Sequence, residues 1–205
     1  MQQYLRAGNC VSVVGESQIG KSSLLYYLFK TCDRWYTGQR LVYLDLQSVV
    51  DEEDFCSELL SLFGEKGDDL RALRRALRSE SATLFLDEVE KLAQPDFTLR
   101  LRDLLRAPTQ DKNLLLLVAS QQPLDVIFPP MHPGGTSPFH NLFMQQTLSG
   151  FSRQEARDFL AQRLANTGVA FADAEIEELI AASNGHPARL QELAHALYRN
   201  KTERA

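Results

Sequence analysis

GESQIGKSS, residues 15–23, follows the apolar run CVSVV at 10–14 and precedes LLYYLFKTC at 24–32. Gly15, Gly20, Lys21 and Ser22 satisfy the spacing GxxxxGK[ST]. A strand before it and a helix after it form the context in which that spacing makes a phosphate-binding loop. Glycine lets the backbone wrap closely round phosphate oxygens, and the loop's N–H groups then meet the anion at a helix N-terminus, where the dipole favours negative charge. Gly15, Glu16, Ser17, Gln18, Ile19, Gly20, Lys21, Ser22 and Ser23 are therefore candidate nucleotide-binding residues. Lys21 is expected to reach the β- and γ-phosphates, and Ser22 to place its hydroxyl on Mg²⁺. A chance match in a chain of ordinary composition arises on the order of 1% of the time.

Outward from this loop the pattern alternates strand and helix. RLVYLDLQ reads as a second strand, and DEEDFCSELLSLFG as a helix capped by Asp51 and stopped by Gly64. LRALRRALR at 70–78 has leucines at helical spacing, and its four arginines read as a solvated face rather than a DNA contact. ATLFLDE is a third strand. FTLRLRDLLRA places Phe97, Leu101, Leu104 and Leu105 on one helical face, with Pro108 expected to end the helix. NLLLLVAS is the fourth strand. QQTLSGF is the fifth, after a Pro- and Gly-rich loop at 122–141. Repeated βα units predict a mostly parallel five-stranded sheet covered on both faces. From Phe151 onward everything reads as helix: Ser152 with Glu155 forms a capping box, and Gly185 with Pro187 marks the joint between the last two helices. The expected organisation is an α/β core over 1–150 and a three-helix subdomain over 151–205. The latter is too small to stand alone and is expected to pack on the core.

Two more strand ends carry chemistry. TLFLDE finishes in Asp87 and Glu88, where a carboxylate at the C-terminal end of a strand can hold Mg²⁺ through its water shell and its neighbour can polarise an attacking water. Both are also readable as caps of the following helix, and Glu90 as a solvated surface carboxylate. In P-loop ATPases with this order of elements the fourth strand lies between the other two, so Ser120 and Gln121 at its tip are candidates for sensing the γ-phosphate. Either reads equally well as a simple strand end. A guanine-reading NKxD is missing after the late strands. The LSG at 148–150 follows the carboxylate strand, whereas in ABC transporters LSGGQ precedes it.

Composition bounds the rest. A chain of 205 residues accommodates one α/β domain with a small appendage. Its apolar runs, such as LLLLVA at 114–119, fall far short of the roughly 20 residues a membrane span needs. MQQYLRAGNC has no secretory pattern, so a cytoplasmic location and no membrane partner are expected. Cys10, Cys32 and Cys56 are widely spaced and read as reduced core thiols. A net charge of −5 gives no overall electrostatic footprint for nucleic acid.

The series VSVVGESQIGKSSLL, LVYLDLQ, LFLDEVEKL, LLLVASQQPL, TSPFHNLF and NGHPARLQELA resembles the AAA-like ATPase domain of bacterial STAND proteins, relatives of the NACHT and archaeal-type ATPases, over nearly the whole chain. The resemblance implies an additional-strand P-loop NTPase with a C-terminal three-helix lid. It also implies ATP/ADP and Mg²⁺ as cofactors, Lys21 and Glu88 as catalytic residues, and Ser22 and Asp87 as metal-holding ones. The domain is then a nucleotide-dependent signalling switch with effector and sensor domains or protein partners outside this chain, and with homo-oligomeric assembly. GHP at 185–187 matches the family's GxP, which implies that Pro187 contacts the nucleotide, while His186 also reads as a plain helix joint. TSPFHNLF serves as a family marker and reads as a loop packing Phe139 and Phe143 onto the core.

Two departures from the family pattern matter. The FxGRxxE-like box that helps seat the adenine belongs some twenty residues upstream of the P-loop, ahead of Met1, so the expectation is either an excised domain or weakened base recognition. Gln121 stands where relatives often have Arg; it can hydrogen-bond but lacks the charge that stabilises a transferring phosphoryl group, so slow hydrolysis is expected. Arg100, Arg102, Arg106 and Arg153 are available to supply that charge from a neighbouring subunit. The alternative is a non-hydrolysing nucleotide-binding module that assembles on a protein partner or on DNA.

Overall fold

The computed structural model describes residues 1–32, 39–110, 113–129 and 138–203. Five strands make one sheet: β1 (Cys10–Val14), β2 (Arg40–Asp45), β3 (Ala82–Asp87), β4 (Leu114–Ser120) and β5 (Phe143–Thr147). Their order is β2-β3-β4-β1-β5 and every pair is parallel. Every residue of β1, β3 and β4 is buried, as their unbroken apolar runs require of inner strands covered on both faces. β2 and β5, at the two edges, are only partly buried. The sheet order puts β4 between β1 and β3, which is the additional-strand arrangement of P-loop NTPases.

Helices α1 (Gln2–Arg6), α2 (Lys21–Thr31), α3 (Glu52–Leu62), α4 (Leu70–Ser79), α5 (Leu99–Gln110) and α6 (Leu124–Ile127) accompany the strands, with short 3₁₀ turns at Val89–Ala93 and Phe139–Leu142. Asp51 caps α3 by accepting the Asp54 N–H at 2.9 Å, and Asp69 caps α4 by accepting from Arg71 and Ala72 at 2.7 and 2.8 Å. Such caps satisfy N–H groups that a helix start leaves orphaned. α4 buries Ala72, Leu73, Ala76 and Leu77 and leaves its arginines exposed. Its apolar stripe joins Phe55, Leu59 and Leu60 of α3 and Leu84 and Leu86 of β3 in one core. A fully buried Phe55 contributes about 2–3 kcal/mol there. The three cysteines are buried and in no disulfide among the described residues, and burial pushes the Cys10 thiol up to about 11 and the Cys56 thiol to about 12. Among the described residues no helix is long and apolar enough to cross a membrane.

Two expectations change. Pro108 lies inside α5 rather than ending it. In the last turn its missing N–H deprives a single carbonyl of a partner, and the buried Leu101 and Leu105 hold the helix in place regardless. β5 begins at Phe143 and stops at Thr147, two residues earlier at its start than QQTLSGF implies. Among the described residues its one strand partner is the five-residue β1, and the ladder runs from Cys10↔Phe143 to Val14↔Thr147. The approach to β5 is pinned by edge-to-face rings, Phe128 on Phe139 at 5.4 Å and Phe139 on Phe143 at 5.3 Å. Thr136 and Ser137 of TSPFHNLF lie outside the described residues.

By contact density the chain forms two compact units, Met1–Gly15 with Lys21–Thr147, and Glu16–Gly20 with Leu148–Ala205. The second contains α7 (Arg153–Leu164), α8 (Asp173–Ser183) and α9 (Pro187–Thr202) around a small core of Ala156, Leu160, Leu179 and Leu190. The Ser152–Glu155 capping box starts α7. Arg157 bonds Glu177, and Lys201 lies 2.8 Å from Glu175. Gly185 closes the unit: the Phe151 N–H donates to its carbonyl at 2.8 Å, its φ is +72°, and a Cβ there would sit 2.4 Å from the Phe151 oxygen.

Gly185→Ala therefore meets both a left-handed backbone and a backbone oxygen, whereas Gly168→Ala, at φ +71° with open space around it, meets only the first. Chemical denaturation should show Gly168→Ala costing about 1 kcal/mol and Gly185→Ala about 3 kcal/mol or more. Equal costs would show that the close approach at Phe151 is not maintained.

Candidate phosphate-binding site

β1 delivers the loop to the C-terminal edge of the sheet. The Gly15 N–H donates to the Ser120 carbonyl at 3.2 Å, which ties the start of the loop to the end of β4. Gln18 and Gly20 take φ of +60° and +103° as the chain turns back towards α2. A non-glycine residue in that region costs on the order of 1 kcal/mol, and burial of Ile19 beside it holds the turn down. Lys21 opens α2 with its side chain 5% exposed, its ammonium donating to the Gly15 carbonyl at 3.0 Å. Ser22 and Ser23 are exposed on the same first turn, where backbone N–H groups have no intrahelical acceptor.

Within the second unit, His186 reaches the loop. Its Nδ1 accepts the Arg189 N–H at 3.5 Å and so caps α9, which leaves Nε2 to carry the proton and donate to the Ser17 carbonyl at 3.1 Å. The two bonds together require the neutral Nε2–H tautomer. Pro187 occupies the first position of α9, where its missing N–H costs nothing.

Asp87 ends β3 with 2% exposure. Its Oδ2 accepts the Tyr43 hydroxyl at 3.2 Å and its Oδ1 the Glu88 N–H at 3.1 Å. Burial and the Asp87 charge push the Tyr43 phenol well up, so Tyr43 stays a donor to the carboxylate. Glu88 sits at φ +53°, ψ +47°, and makes no side-chain cap on the 3₁₀ turn that follows. Left-handed backbone at a residue other than glycine is a form of strain that concentrates at functional sites. Burial above all, then the charges of Glu90 and Asp87, hold the Glu88 carboxyl above the usual range, while the Lys21 ammonium and a hydrogen bond with the Gln121 side chain pull it back.

Glu90 is not the solvated carboxylate its sequence position suggests. It is half-buried, its Oε1 accepts the Gln121 N–H at 3.0 Å, and its Oε2 is buried with no hydrogen-bond partner among the described residues. The 3₁₀ turn at 89–93 folds the chain back towards the β4 tip and carries Glu90 with it. Ser120 is fully buried and spends its hydroxyl on the Gln122 carbonyl at 2.7 Å. Gln121 is exposed, its backbone held by Glu90 and its side chain by Glu88. Among the arginines singled out from the sequence, Arg153 pairs with Glu177 and Arg102 lies over the Phe128 ring at 5.2 Å.

One end of the sheet thus gathers a buried ammonium and three carboxylates. Tyr43 and Glu90 escaped the sequence reading, but Tyr43 had a signal: it is two residues from Asp45, which pairs in register with Asp87, so strand alternation puts it on the face that Asp87 shares. The oxygen donors of Ser22 and Asp87 suit a hard cation such as Mg²⁺. Among the described residues no group of three or more His, Cys, Asp or Glu side chains could hold a metal unaided. A magnesium ion here would depend on phosphate oxygens and water for most of its ligands.

Comparison with known proteins agrees with this geometry. Residues 5–128, more than half of the chain, match the model of the AAA domain. Comparison with curated protein sequences finds no match. The fold is similar to that of the ORC1 protein of Aeropyrum pernix solved in complex with DNA, at 14% identity and a TM-score of 0.74, covering 100% of this chain and 59% of that one. It is also similar to the RuvB Holliday junction branch migration motor of Thermotoga maritima (16%, 0.64, covering 95% and 56%) and to AMPPCP-bound DnaA from Aquifex aeolicus (14%, 0.63, covering 96% and 57%). The chain therefore spans 56–59% of the length of these structures, and at such identities the likeness is one of fold. With the strand order, the loop and the family match in agreement, the chain belongs to the AAA family of P-loop ATPase domains.

Proposed function

We propose that this domain binds MgATP through residues 15–23 and works as a nucleotide-dependent signalling switch of the STAND type, hydrolysing ATP slowly. The observation that carries the proposal is the grouping of Lys21, Asp87, Glu88 and Gln121 at one end of the sheet. Lys21 and the loop N–H groups hold the phosphates, and Ser22 and Asp87 hold the magnesium, which neutralises phosphate charge beside the carboxylates. Glu88 accepts the proton of the attacking water; its raised pKa makes it a better base at neutral pH than an ordinary carboxylate. Gln121, which bonds Glu88, orients that group and meets the γ-phosphate with a neutral donor, and this supports slow turnover.

Pro187 is the residue assigned to the nucleotide in the second unit, supported by the bond of its neighbour His186 to Ser17 in the loop. The division proposed for the chain is a core over 1–150 and a helical lid over 151–205, acting in the cytoplasm with effector and sensor partners and in homo-oligomers. The second reading is a non-hydrolysing assembly module acting on DNA or on a protein partner. The fold shared with an ORC1 solved on DNA favours keeping it.

Phosphate release separates the two. The wild type should release phosphate slowly, and Glu88→Gln should reduce the rate about 100-fold or more while ATP still binds. No release from either protein with ATP bound would overturn the hydrolase reading, and release only with DNA present would favour the second. The same substitution tests the electrostatics. A carboxylate whose folded-state pKa is raised contributes stability below its unfolded pKa, and loses it as pH rises through the folded value. Glu88→Gln should therefore raise the melting temperature relative to wild type at neutral pH, with the gain vanishing towards pH ~4. A gain unchanged by pH would contradict the assigned cause of the shift.

A further inference from the structure

The arginine face of α4 is only half explained as solvated surface. Arg71, Arg74 and Arg78 follow helical spacing along it and, with Arg100 of α5, line a groove whose floor is Leu70, Leu104 and Pro108. These four arginines are exposed, and none forms an ion pair with a carboxylate among the described residues, whereas Arg40, Arg157 and Arg199 elsewhere all do. Among the described residues Asp103 is the single carboxylate lining the groove, in a protein whose net charge is −5.

Directly beside it lies the opposite charge. Glu52, Glu53, Asp68 and Asp69 line a second cleft, which shares Leu70 and Arg71 with the first. Glu52 also accepts from the Thr98 N–H and hydroxyl at 2.7 Å each, so the starts of α3 and α5 are joined. The next residues outward are apolar and open to water, with Val50 68% and Leu99 45% exposed. A concave, apolar-floored groove with an acidic neighbour suits protein rather than nucleic acid, because duplex phosphates would leave the floor unfilled and be repelled by the adjoining cleft.

We propose that this seam is a homotypic interface, in which the arginine groove of one copy faces the acidic cleft of a second copy and the reverse contact forms by two-fold symmetry. A surface carrying both signs side by side is self-complementary about an axis at the seam, as an isologous dimer requires. The inference is independent of the nucleotide reading, since neither cleft includes a residue of the phosphate-binding loop.

Sedimentation equilibrium of the full chain tests it, using two charge-reversed variants chosen at exposed positions free of capping roles: Arg74→Glu with Arg78→Glu, and Glu53→Arg with Asp68→Arg. The wild type should dimerise at about 50 mM salt and weaken at about 500 mM. Each variant alone should dimerise at least about tenfold more weakly, because like charges then face each other. An equimolar mixture should recover association as heterodimer, since one variant presents two acidic patches and the other two basic ones. Unchanged melting temperatures establish that the variants are folded. A wild type that stays monomeric at low salt, variants that dimerise as well as wild type, or a mixture without recovery would overturn the proposal. So would a monomeric wild type that binds labelled duplex DNA through Arg74 and Arg78.

Discussion

The hydrogen bond from the Gly15 N–H to the Ser120 carbonyl is the contact on which the site's layout depends. It exists because β4 lies between β1 and β3, so the phosphate-binding loop and Asp87 belong to strands two positions apart. Neighbouring strands are separated by about 4.8 Å, which sets the strand carrying the loop and the strand carrying the carboxylate about 10 Å apart. That gap suits a phosphate group and a hydrated magnesium ion. The strand between them supplies the tip, Ser120 and Gln121, of which only Gln121 is exposed.

Charge gives this room its character. Asp87, Glu88 and Glu90 crowd one corner, where burial first and then the Glu90 and Asp87 charges raise the Glu88 carboxyl and the Lys21 ammonium lowers it. Each carboxylate is held in a particular way: Asp87 by Tyr43, Glu88 by Gln121, and Glu90 by the Gln121 N–H. Left-handed backbone at Glu88 adds local strain to this corner. Such a corner is costly without a cation, and becomes favourable once a divalent ion and its phosphate ligands bring their own charge balance. The proposed nucleotide-dependent switch would draw on that dependence.

Much of this was legible in the chain itself. The buried strands announce themselves as CVSVV, ATLFLD and LLLLVAS, and the loop as GESQIGKSS, because sheet burial and phosphate wrapping each restrict residue type at fixed spacing. The cap of α3 by Asp51 and the capping box at Ser152 were equally local. What escaped depends on register or on three-dimensional return of the chain. Glu90 bonds Gln121 across thirty-one positions, and His186 bonds Ser17 across one hundred and sixty-nine. Neither separation leaves a periodic trace. β5 was displaced because its limits are set by the length of its partner β1, and Pro108 because packing of Leu101 and Leu105 outweighs a lost hydrogen bond in a final turn.

Isothermal titration calorimetry of MgATP into the wild type and Lys21→Ala tests the central claim most directly. Wild-type binding with a dissociation constant well below about 1 mM, weakened about tenfold or more by Lys21→Ala, is the result expected of a loop that cradles phosphates with this ammonium. No detectable heat from the folded wild type at millimolar nucleotide, or equal affinity for both proteins, would contradict it.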